Sequence, residues 1–210
     1  MENLTLLIPA KFESESLPSV LRELKKFNYK ICIILKDTDS ITIDSIKDFD
    51  VEVIQQKGIG YGDALIEGIN YCKTKYFCIF NADGSFNPNE IDGIMKQIEK
   101  NNTDFIFASR YEKNAGSDDD TFVTFVGNYF FSSIGKIFFK LKISDILYTF
   151  VIGNTSKAKS LNLLSKDFRF CVELPIKAKR KNFKIDVFPS FERKRIAGKK
   201  KVNALKDGSL

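Results

Sequence analysis

The sequence predicts an α/β fold with a mixed, mostly parallel sheet flanked by helices. Over roughly the first 110 residues, short apolar runs typical of strands alternate with segments of helical spacing. This alternation is the pattern of strand–helix–strand units. The chain has 210 residues, of which 43% are hydrophobic, which is enough for one sizeable core. We therefore expect a single domain spanning 1–210, with halves at 1–110 and 111–210.

Five strands are predicted in the first half from apolar runs that end at turn-forming or charged residues. The runs are 4–10 (LTLLIPA), 29–35 (YKICIIL), 51–56 (VEVIQQ), 75–80 (KYFCIF) and 103–110 (TDFIFASR). Helices are expected between them at 16–27, 61–73 and 89–100. The first helix has apolar residues at spacings of three and four from Leu17 to Leu24, and Pro18 falls in its first turn, where proline is tolerated.

A long Phe-rich helix is predicted at 120–142. Its apolar residues recur at spacings of three and four and form one wide face: Phe122, Val126, Tyr129, Phe130, Ile134, Ile137, Phe138 and Leu141. We expect this face to pack in the core, although Lys136, Lys140 and Lys142 near its end leave a membrane-interface role open. The remaining chain predicts helices at 157–165 and 170–181 and a late strand at 183–191.

The chain contains no histidine, and this absence excludes several kinds of site. Ser-His-Asp and Cys-His catalysis and His-ligated zinc are ruled out. A general base would have to be a carboxylate or, less favourably, Lys or Tyr, and a bound metal would have oxygen ligands, as Mg²⁺ and Mn²⁺ do.

The four cysteines form no C-x-x-C pair, and Cys32 and Cys78 lie in apolar runs. We interpret them as buried, reduced residues of a cytoplasmic protein. The N-terminus has an acid at position 2 and a short apolar run, unlike a signal peptide. No apolar stretch reaches the ~18 residues of a membrane span.

The net charge of +6 is unevenly distributed. Positions 177–201 carry eleven Lys or Arg and two acids, a net +9. A basic tail on a mildly acidic body is typical of proteins that bind polyanions or anionic surfaces, and equally of a solvated tail. Few aromatic residues interleave with these charges, so a nucleic-acid partner is not expected.

Polar residues follow several predicted strands. Asp37, Asp83 and Arg110 each end or follow one, as does the loop after Pro9. Because ligands of open parallel sheets bind beyond the carboxyl ends of the strands, these residues are candidates for a common site. The stretch KGIGYGDAL from Lys57 also lies between a strand and a helix, but its G-x-G-x-G spacing fails the dinucleotide fingerprint. A tight turn would explain it equally well.

Seven stretches resemble, in order, motifs of the family-two glycosyltransferases, which have the GT-A fold. The resemblance is strongest to bacterial members related to polyprenyl-phosphate sugar transferases such as dolichyl-phosphate mannose synthase. The stretches are IPAKFESESLPSVLREL from Ile8, KGIGYGDALIEGI from Lys57, FNADGSFNP from Phe80, FASRY from Phe107, SDDDTFVTFVGN from Ser117, SDILYTF from Ser144 and FPSFERKRIAGKKKVNALKDG from Phe188. Their shared order makes the resemblance specific, and it spans nearly the whole chain.

The resemblance implies a role for each matching residue. Asp83, with Ser85 beside it, would bind Mg²⁺ or Mn²⁺, which neutralises the diphosphate of a nucleotide-sugar. The nucleotide-sugar and its phosphates would contact Pro9, Lys11, Glu13, Asp37, Lys57, Gly58, Asp63, Asn81, Ala82, Arg110, Arg195 and Lys201. Asp145 is the first choice for a catalytic carboxylate near the acceptor, together with Asp83. An Asp before an apolar stretch also often caps a helix, so that alternative for Asp145 stays open.

The resemblance implies an inverting glycosyltransferase that moves a sugar from a nucleotide-diphosphate sugar to a lipid-phosphate or glycan acceptor, in synthesis of cell-surface polysaccharide or glycoconjugate. The first half would bind the donor and the second half the acceptor. We expect a cytoplasmic protein, with peripheral membrane contact and a homo-oligomer left open.

Four departures from the family pattern keep alternatives open. Asn81 stands where the family usually has Asp, and Lys36 replaces the first acid of an Asp-Asp pair. Lys11-Phe12 replaces an aromatic residue followed by Asn, and Thr149 replaces a Gly. The loss of a ligand charge at position 81 supports a catalytically impaired nucleotide-sugar-binding protein. A nucleotidyltransferase is a further alternative, but the first strand lacks the Gly-rich basic loop of such enzymes.

Overall fold

The computed structural model describes residues 3–197, apart from the side chains at 122–124. Its strands are β1 (Leu4–Pro9), β2 (Lys30–Leu35), β3 (Glu52–Gln55), β4 (Tyr76–Ile79), β5 (Phe105–Ser109), β6 (Gly116–Ser117), β7 (Val151–Asn154), β8 (Ile185–Pro189) and β9 (Phe191–Glu192). Its α-helices are α1 (Leu17–Leu24), α2 (Ser40–Ile46), α3 (Tyr61–Tyr71), α4 (Ile91–Asn101), α5 (Phe122–Phe139), α6 (Thr155–Ser160) and α7 (Phe170–Arg180). Short 3₁₀ turns occur at Lys25–Phe27 and Pro88–Glu90.

Within the described residues, seven strands form one sheet in the order β3-β2-β1-β4-β7-β5-β8. All neighbours pair in parallel except β7, which is antiparallel to both β4 and β5. The expectation of a mixed, mostly parallel sheet flanked by helices is therefore confirmed. β6 and β9 pair in parallel as a second, two-stranded sheet.

The sequence did not predict β7, α2 or the short strands β6 and β9. β7 is a four-residue strand that follows an irregular apolar segment, so no alternation marks its start. α2 has no continuous apolar stripe, since its buried residues are Thr42 and Ile46. Its beginning is set instead by Asp39, whose side chain accepts a hydrogen bond from the Thr42 N–H as an N-cap.

The sheet separates two hydrophobic clusters. Side chains of β1 alternate between them, with Leu6 and Ile8 in the cluster that includes α1 and α4, and Leu7 in the cluster that includes α3 and α7. The four cysteines are buried and unpaired, as expected, and burial raises the pKa of Cys32 to about 12. Such a thiol is a poor nucleophile at neutral pH, in accord with its interpretation as a core residue.

The expectation that the wide apolar face of α5 packs in the core is wrong for most of its residues. The exposed side chains include Val126, Tyr129, Phe130, Ile137 and Phe138, and the last two are 71% and 73% exposed. Ile134 is half-buried, and Leu141, beyond the helix, is buried. The side chain of Phe122 lies outside the described set.

Small and polar residues turn α5 toward the body of the protein. Asn128 is 1% exposed, and its Oδ1 accepts the Leu147 N–H at 3.0 Å. The Ser132 hydroxyl accepts the Ile146 N–H at 3.1 Å. A Cβ at Gly135 would lie 3.2 Å from Leu141 Cδ1, so only a small residue allows this contact. The helix thus binds the backbone of segment 141–147 and presents its large side chains outward.

Of the helices in the described part of the chain, none combines the length and the apolar character that crossing a membrane would require.

Candidate active site

The turn after β4 carries the polar residues that the sequence analysis assigned to a metal. Asp83 Oδ1 accepts hydrogen bonds from the Ser85 N–H at 3.0 Å and the Ser85 hydroxyl at 2.7 Å. The Asn81 amide donates to the Ser85 Oγ at 3.4 Å. Ala82 is buried between them. One oxygen of Asp83 is thus held by the turn, and the other, Oδ2, lies 3.7 Å from Arg195 Nη1.

The segment after β9 runs directly beside this turn. The Arg193 N–H donates to the Ser85 carbonyl and the Ile196 N–H to the Asp83 carbonyl, both at 2.8 Å. Gly84 has φ +84°, and a Cβ there would meet Ile196 Cδ1 at 2.5 Å. The positive φ favours glycine at this position, and Ile196 packs directly over it. These contacts bring Arg195, 112 residues away in sequence, to Asp83.

Arg195 is also bound by a residue that the sequence analysis did not select. Its Nη2 and Nε donate to Asp119 Oδ2 at 2.6 and 3.1 Å. Hydrogen bonds to Asp119 raise the pKa of Arg195 above its usual value, so the guanidinium is always charged. Asp119 could have been suspected from the acidic run SDDD, but its partner could not.

Arg110 and Asp145 form a buried pair beneath this surface. Arg110 donates to Asp145 from Nε at 2.7 Å, from Nη2 at 2.9 Å and from its backbone N–H at 3.0 Å. Its Nη1 donates to Glu192 at 2.9 Å and lies 3.7 Å from Asp120. Although burial alone would lower the pKa of Arg110, the bonds and charge of Asp145 raise it.

Asp145 is fully buried, and both of its carboxylate oxygens accept hydrogen bonds from Arg110. The alternative that it caps a helix is wrong, because the chain after it forms a turn closed by the Tyr148 N–H and the Asp145 carbonyl. The Arg110 guanidinium also lies 4.8 Å from the centre of the Tyr148 ring. In this arrangement Asp145 orients Arg110.

At the ends of β1 and β2, the organising residue is Asp39. Its Oδ2 accepts the Phe12 N–H at 2.7 Å, and Phe12 has φ +55°. The neighbouring Glu13 N–H donates to the Thr42 hydroxyl at 3.1 Å. Asp39 therefore ties the loop after Pro9 to the start of α2.

Asp37, which was predicted to contact the nucleotide-sugar, lies in the exposed turn before Asp39. Lys11 is exposed, with its ammonium 5.9 Å from the Phe12 ring. The sequence feature that could have indicated Asp39 is its position before Ser40-Ile41-Thr42, where an Asp can cap a helix. The helix α2 is short, so its start was hard to detect.

The glycine-rich loop after β3 is organised by acidic side chains of α3. The N–H groups of Lys57 and Gly58 donate to the Glu67 carboxylate at 3.0 and 3.3 Å. Asp63 is buried, and its Oδ2 accepts from the Gln56 amide at 3.1 Å. A Cβ at Gly58 would lie 2.2 Å from Asp63 Oδ1, so close approach accounts for this glycine.

The structure therefore brings two groups of predicted residues together. Asn81, Asp83, Ser85 and Arg195 meet beside β4, and Arg110 and Asp145 lie below them. These groups are joined by Glu192, since β9 also leads into the segment of Arg195. Lys57, Gly58 and Asp63 are engaged with α3 instead. Lys201 lies outside the described residues.

The oxygen atoms around Asp83 fit a hard divalent cation in their chemistry. Within residues 3–197, no group of three or more acidic or thiol side chains converges as a metal cluster. Mg²⁺ commonly binds through one or two carboxylates together with phosphate oxygens of the substrate. Asp83 suits that kind of site, in which the nucleotide would supply much of the coordination.

Comparison with solved structures supports the fold. The chain is similar to glucosyl-3-phosphoglycerate synthase from Mycobacterium tuberculosis in complex with Mn²⁺, uridine diphosphate and glucosyl-3-phosphoglycerate, with TM-score 0.73, 9% identity and coverage of 95% of this chain and 73% of that one. A complex of that enzyme with Mg²⁺ and uridine diphosphate gives a TM-score of 0.69 at 11% identity, covering 95% of this chain and 72% of that one. Mannosyl-3-phosphoglycerate synthase from Rubrobacter xylanophilus gives a TM-score of 0.65 at 12% identity, covering 91% of this chain and 67% of that one. At these identities the likeness establishes the GT-A fold.

The sequence itself matches the family described as glycosyl transferase family 2 over residues 5–161. This range contains β1 except its first residue, β2 to β5, the Asp83 turn, Arg110 and Asp145. Because the match extends over most of the chain, the protein belongs to glycosyl transferase family 2.

Proposed function

We propose that the protein is an inverting, metal-dependent glycosyltransferase that moves a sugar from a nucleotide-diphosphate sugar to a lipid-phosphate acceptor. The observation that carries the proposal is Asp83, placed at the carboxyl end of β4 with Arg195 facing its second oxygen. A solved structure similar to this chain contains uridine diphosphate and Mn²⁺, which supports a nucleoside diphosphate and a divalent cation here.

Each residue of the site has a proposed role. Asp83 and Ser85 hold a Mg²⁺ or Mn²⁺ ion, which, when bound, neutralises the leaving diphosphate. Arg195 donates hydrogen bonds to a phosphate, for which a guanidinium is well suited. Asp145 positions Arg110, and the pair shapes the acceptor side of the site. Asp39 holds the loop after Pro9 against α2 beside the nucleotide.

A phosphate acceptor suits a site whose predicted catalytic carboxylate, Asp145, is fully buried and bound to Arg110. The acceptor oxygen is already ionised at neutral pH, so it attacks the anomeric carbon without losing a proton to the protein. The bond from that carbon to the nucleoside diphosphate breaks, and the diphosphate leaves with the electron pair. Asp145, with both oxygens bound to Arg110, is therefore proposed to orient and not to deprotonate.

A panel of nucleotide-sugars with Mn²⁺ tests the donor half of the proposal. The wild-type protein should hydrolyse at least one donor slowly, because a transferase loses some sugar to water. Release of the nucleoside diphosphate supports sugar transfer, whereas release of pyrophosphate would indicate a nucleotidyltransferase. Binding without any release would indicate the impaired binding protein that Asn81 left open.

The exposed face of α5 supports a membrane-bound acceptor. The exposed large apolar side chains of α5 number six among the described residues: Phe125, Val126, Tyr129, Phe130, Ile137 and Phe138. Exposed apolar side chains clustered in this way are typical of a contact surface. Lys136, Lys140 and Lys142 are exposed near the same end of the helix. Apolar insertion together with a few basic residues, each contributing about 1 kcal/mol near an anionic surface, is sufficient for reversible attachment. We propose that this face lies on the cytoplasmic surface of an anionic membrane.

Sedimentation with anionic vesicles tests this attachment. The wild-type protein should bind at low salt and be released as salt rises, and the double variant I137S/F138S should bind at least about tenfold more weakly, since two exposed apolar anchors are lost. Leu164→Ser is the matched control, because Leu164 is equally exposed but lies far along the chain, after α6. If the protein does not bind vesicles but forms dimers whose fraction rises with concentration in sedimentation velocity, the exposed face of α5 would be assigned to contact with a second copy of the chain.

A further inference from the structure

Arg195 lies between two carboxylates that have no sequence proximity to each other. Its Nη2 is 2.6 Å from Asp119 Oδ2, and its Nη1 is 3.7 Å from Asp83 Oδ2. The side chains of Arg195 and Asp83 are only 18% and 17% exposed, so solvent screens the charges incompletely. The guanidinium therefore carries the positive charge that faces Asp83 in this structure.

The two-stranded sheet β6–β9 sets this arrangement. Ser117 of β6 is paired with Glu192 of β9, and Asp119 and Arg195 follow these residues closely. The Asp119 N–H donates to the Ser117 hydroxyl at 3.0 Å, and the Ile196 N–H is bound to the Asp83 carbonyl. The Arg193 N–H is likewise bound to the Ser85 carbonyl, so backbone hydrogen bonds fix the Arg195 segment on both sides of Arg195, and Asp119 holds its side chain.

We propose that Arg195 is a built-in counter-cation of Asp83 that opposes divalent cation binding until a nucleoside diphosphate arrives. This inference rests on the proposed function, because it takes Asp83 as the cation ligand. A divalent ion at Asp83 meets the nearby guanidinium as a like charge, which weakens its binding. A diphosphate between the ion and Arg195 would accept hydrogen bonds from Arg195 and would also bind the ion. Its negative charge attracts both cations and so offsets their mutual repulsion.

The consequence is a positive coupling between the cation and the nucleotide. Each raises the affinity of the other by the same factor, and removal of the guanidinium should reduce that factor. Such coupling keeps Asp83 largely free of cation when no donor is bound. It requires no movement of the fold beyond the Arg195 side chain and the adjoining segment.

Two binding measurements on Arg195→Gln should change in opposite directions. Mn²⁺ alone, measured by electron paramagnetic resonance of the free ion, should bind about threefold or more tightly, the scale of a partly exposed ion pair. Uridine or guanosine diphosphate in the presence of Mn²⁺ should bind about tenfold more weakly, because one charged hydrogen bond is lost. A general loss of structure would weaken both.

Two further variants serve as controls. Arg193→Gln removes the same charge from the same segment, but Arg193 is paired with Glu23 and the Phe86 carbonyl, so Mn²⁺ affinity should change much less. Arg195→Lys keeps a cation near Asp83 and should leave the affinity for Mn²⁺ alone close to that of the wild type. It should still lose part of the diphosphate affinity, since Lys has no bidentate fork.

The proposal is overturned if Arg195→Gln binds Mn²⁺ alone with unchanged or lower affinity. It is also overturned if Arg193→Gln strengthens Mn²⁺ binding equally, because the effect would then be one of net charge. These results are separate from the proposed function, whose test is donor hydrolysis by the wild-type protein. If the wild-type protein hydrolyses no donor but Arg195→Gln binds Mn²⁺ more tightly, the proposed function is contradicted and the role of Arg195 as a counter-cation still holds.

Discussion

At the scale of single residues, Asp83 has a different partner on each of its two carboxylate oxygens. Oδ1 is held by Ser85, and Oδ2 faces Arg195. Replacement by Ala should therefore lower Mn²⁺ affinity or turnover by at least ~10-fold, the lower range for disturbing a metal site. Titration calorimetry with Mn²⁺ and a nucleoside diphosphate measures the affinity. Asp44→Ala, which removes an exposed carboxylate from α2, is the control and should leave it unchanged.

The neighbouring Asn81 offers a gain-of-binding test. Its amide donates to the Ser85 hydroxyl at 3.4 Å, a long contact that constrains it weakly. Asn81→Asp adds a negative charge beside Asp83, and we expect Mn²⁺ to bind more tightly in calorimetric titration. Weaker binding would contradict this expectation and would assign Asn81 a role as a neutral hydrogen-bond donor.

The Arg110–Asp145 pair makes a prediction about stability. Asp145→Ala leaves a buried guanidinium without its main partner and should lower the free energy of unfolding by about 3–5 kcal/mol. Urea unfolding monitored by circular dichroism provides the measurement. The matched control is Asp167→Ala, because Asp167 and Arg169 form an Arg–Asp pair on the exposed surface, where removal should cost about 1 kcal/mol or less. Equal costs for the two variants would show that the buried pair is not structural.

At the scale of elements, α5 reverses the usual arrangement of an amphipathic helix. In a helix whose apolar face points inward, Asn128→Leu would raise the free energy of unfolding. Here it should destabilise the protein by about 1–3 kcal/mol, because the Leu147 N–H, which bonds to the buried Asn128 side chain, loses its acceptor. Phe138→Ser, by contrast, should change the free energy of unfolding by no more than about 0.5 kcal/mol, as expected for an exposed side chain. Urea unfolding of both variants measures the two changes in free energy. A larger loss for Phe138→Ser than for Asn128→Leu would show that the apolar face of α5 packs in the core.

At the scale of the whole molecule, ligand binding should stabilise the fold by mass action. A nucleoside diphosphate at about 100 times its Kd, with Mn²⁺ present, should add about 2.7 kcal/mol and raise the Tm by about 5–10 °C. Thermal unfolding with and without EDTA measures the effect. The same nucleotide with EDTA should give a clearly smaller shift, and equal shifts would argue against a cation in the site.

Much of the fold could be predicted from local patterns. The helix from Leu17 to Leu24 and the buried strands β1, β2, β4 and β5 each carry a periodicity that records which side chains are apolar. The position of Asp83 just beyond the carboxyl end of β4 also followed from sequence order. The absence of histidine already excluded histidine as a base or metal ligand.

The tertiary structure decided what local patterns do not contain. The apolar periodicity of α5 was correctly found, but periodicity does not say whether protein, a second chain or a membrane covers the face. The backbone groups of segment 141–147 selected Asn128 and Ser132 for the inner side instead. The contact between Asp39 and the Phe12 N–H also joins segments that no local pattern connects.

By itself, then, the sequence determined the layered α/β domain, its family motifs and the strand end on which Asp83 stands. Only the tertiary structure decided the antiparallel insertion of β7, the burial of Asp145 and the meeting of Asp83, Asp119 and Arg195. The physical reason is the range of the interactions involved. Periodicity and capping act over a few residues, whereas these pairings join segments far apart in the chain and form when the sheet and both hydrophobic clusters have assembled.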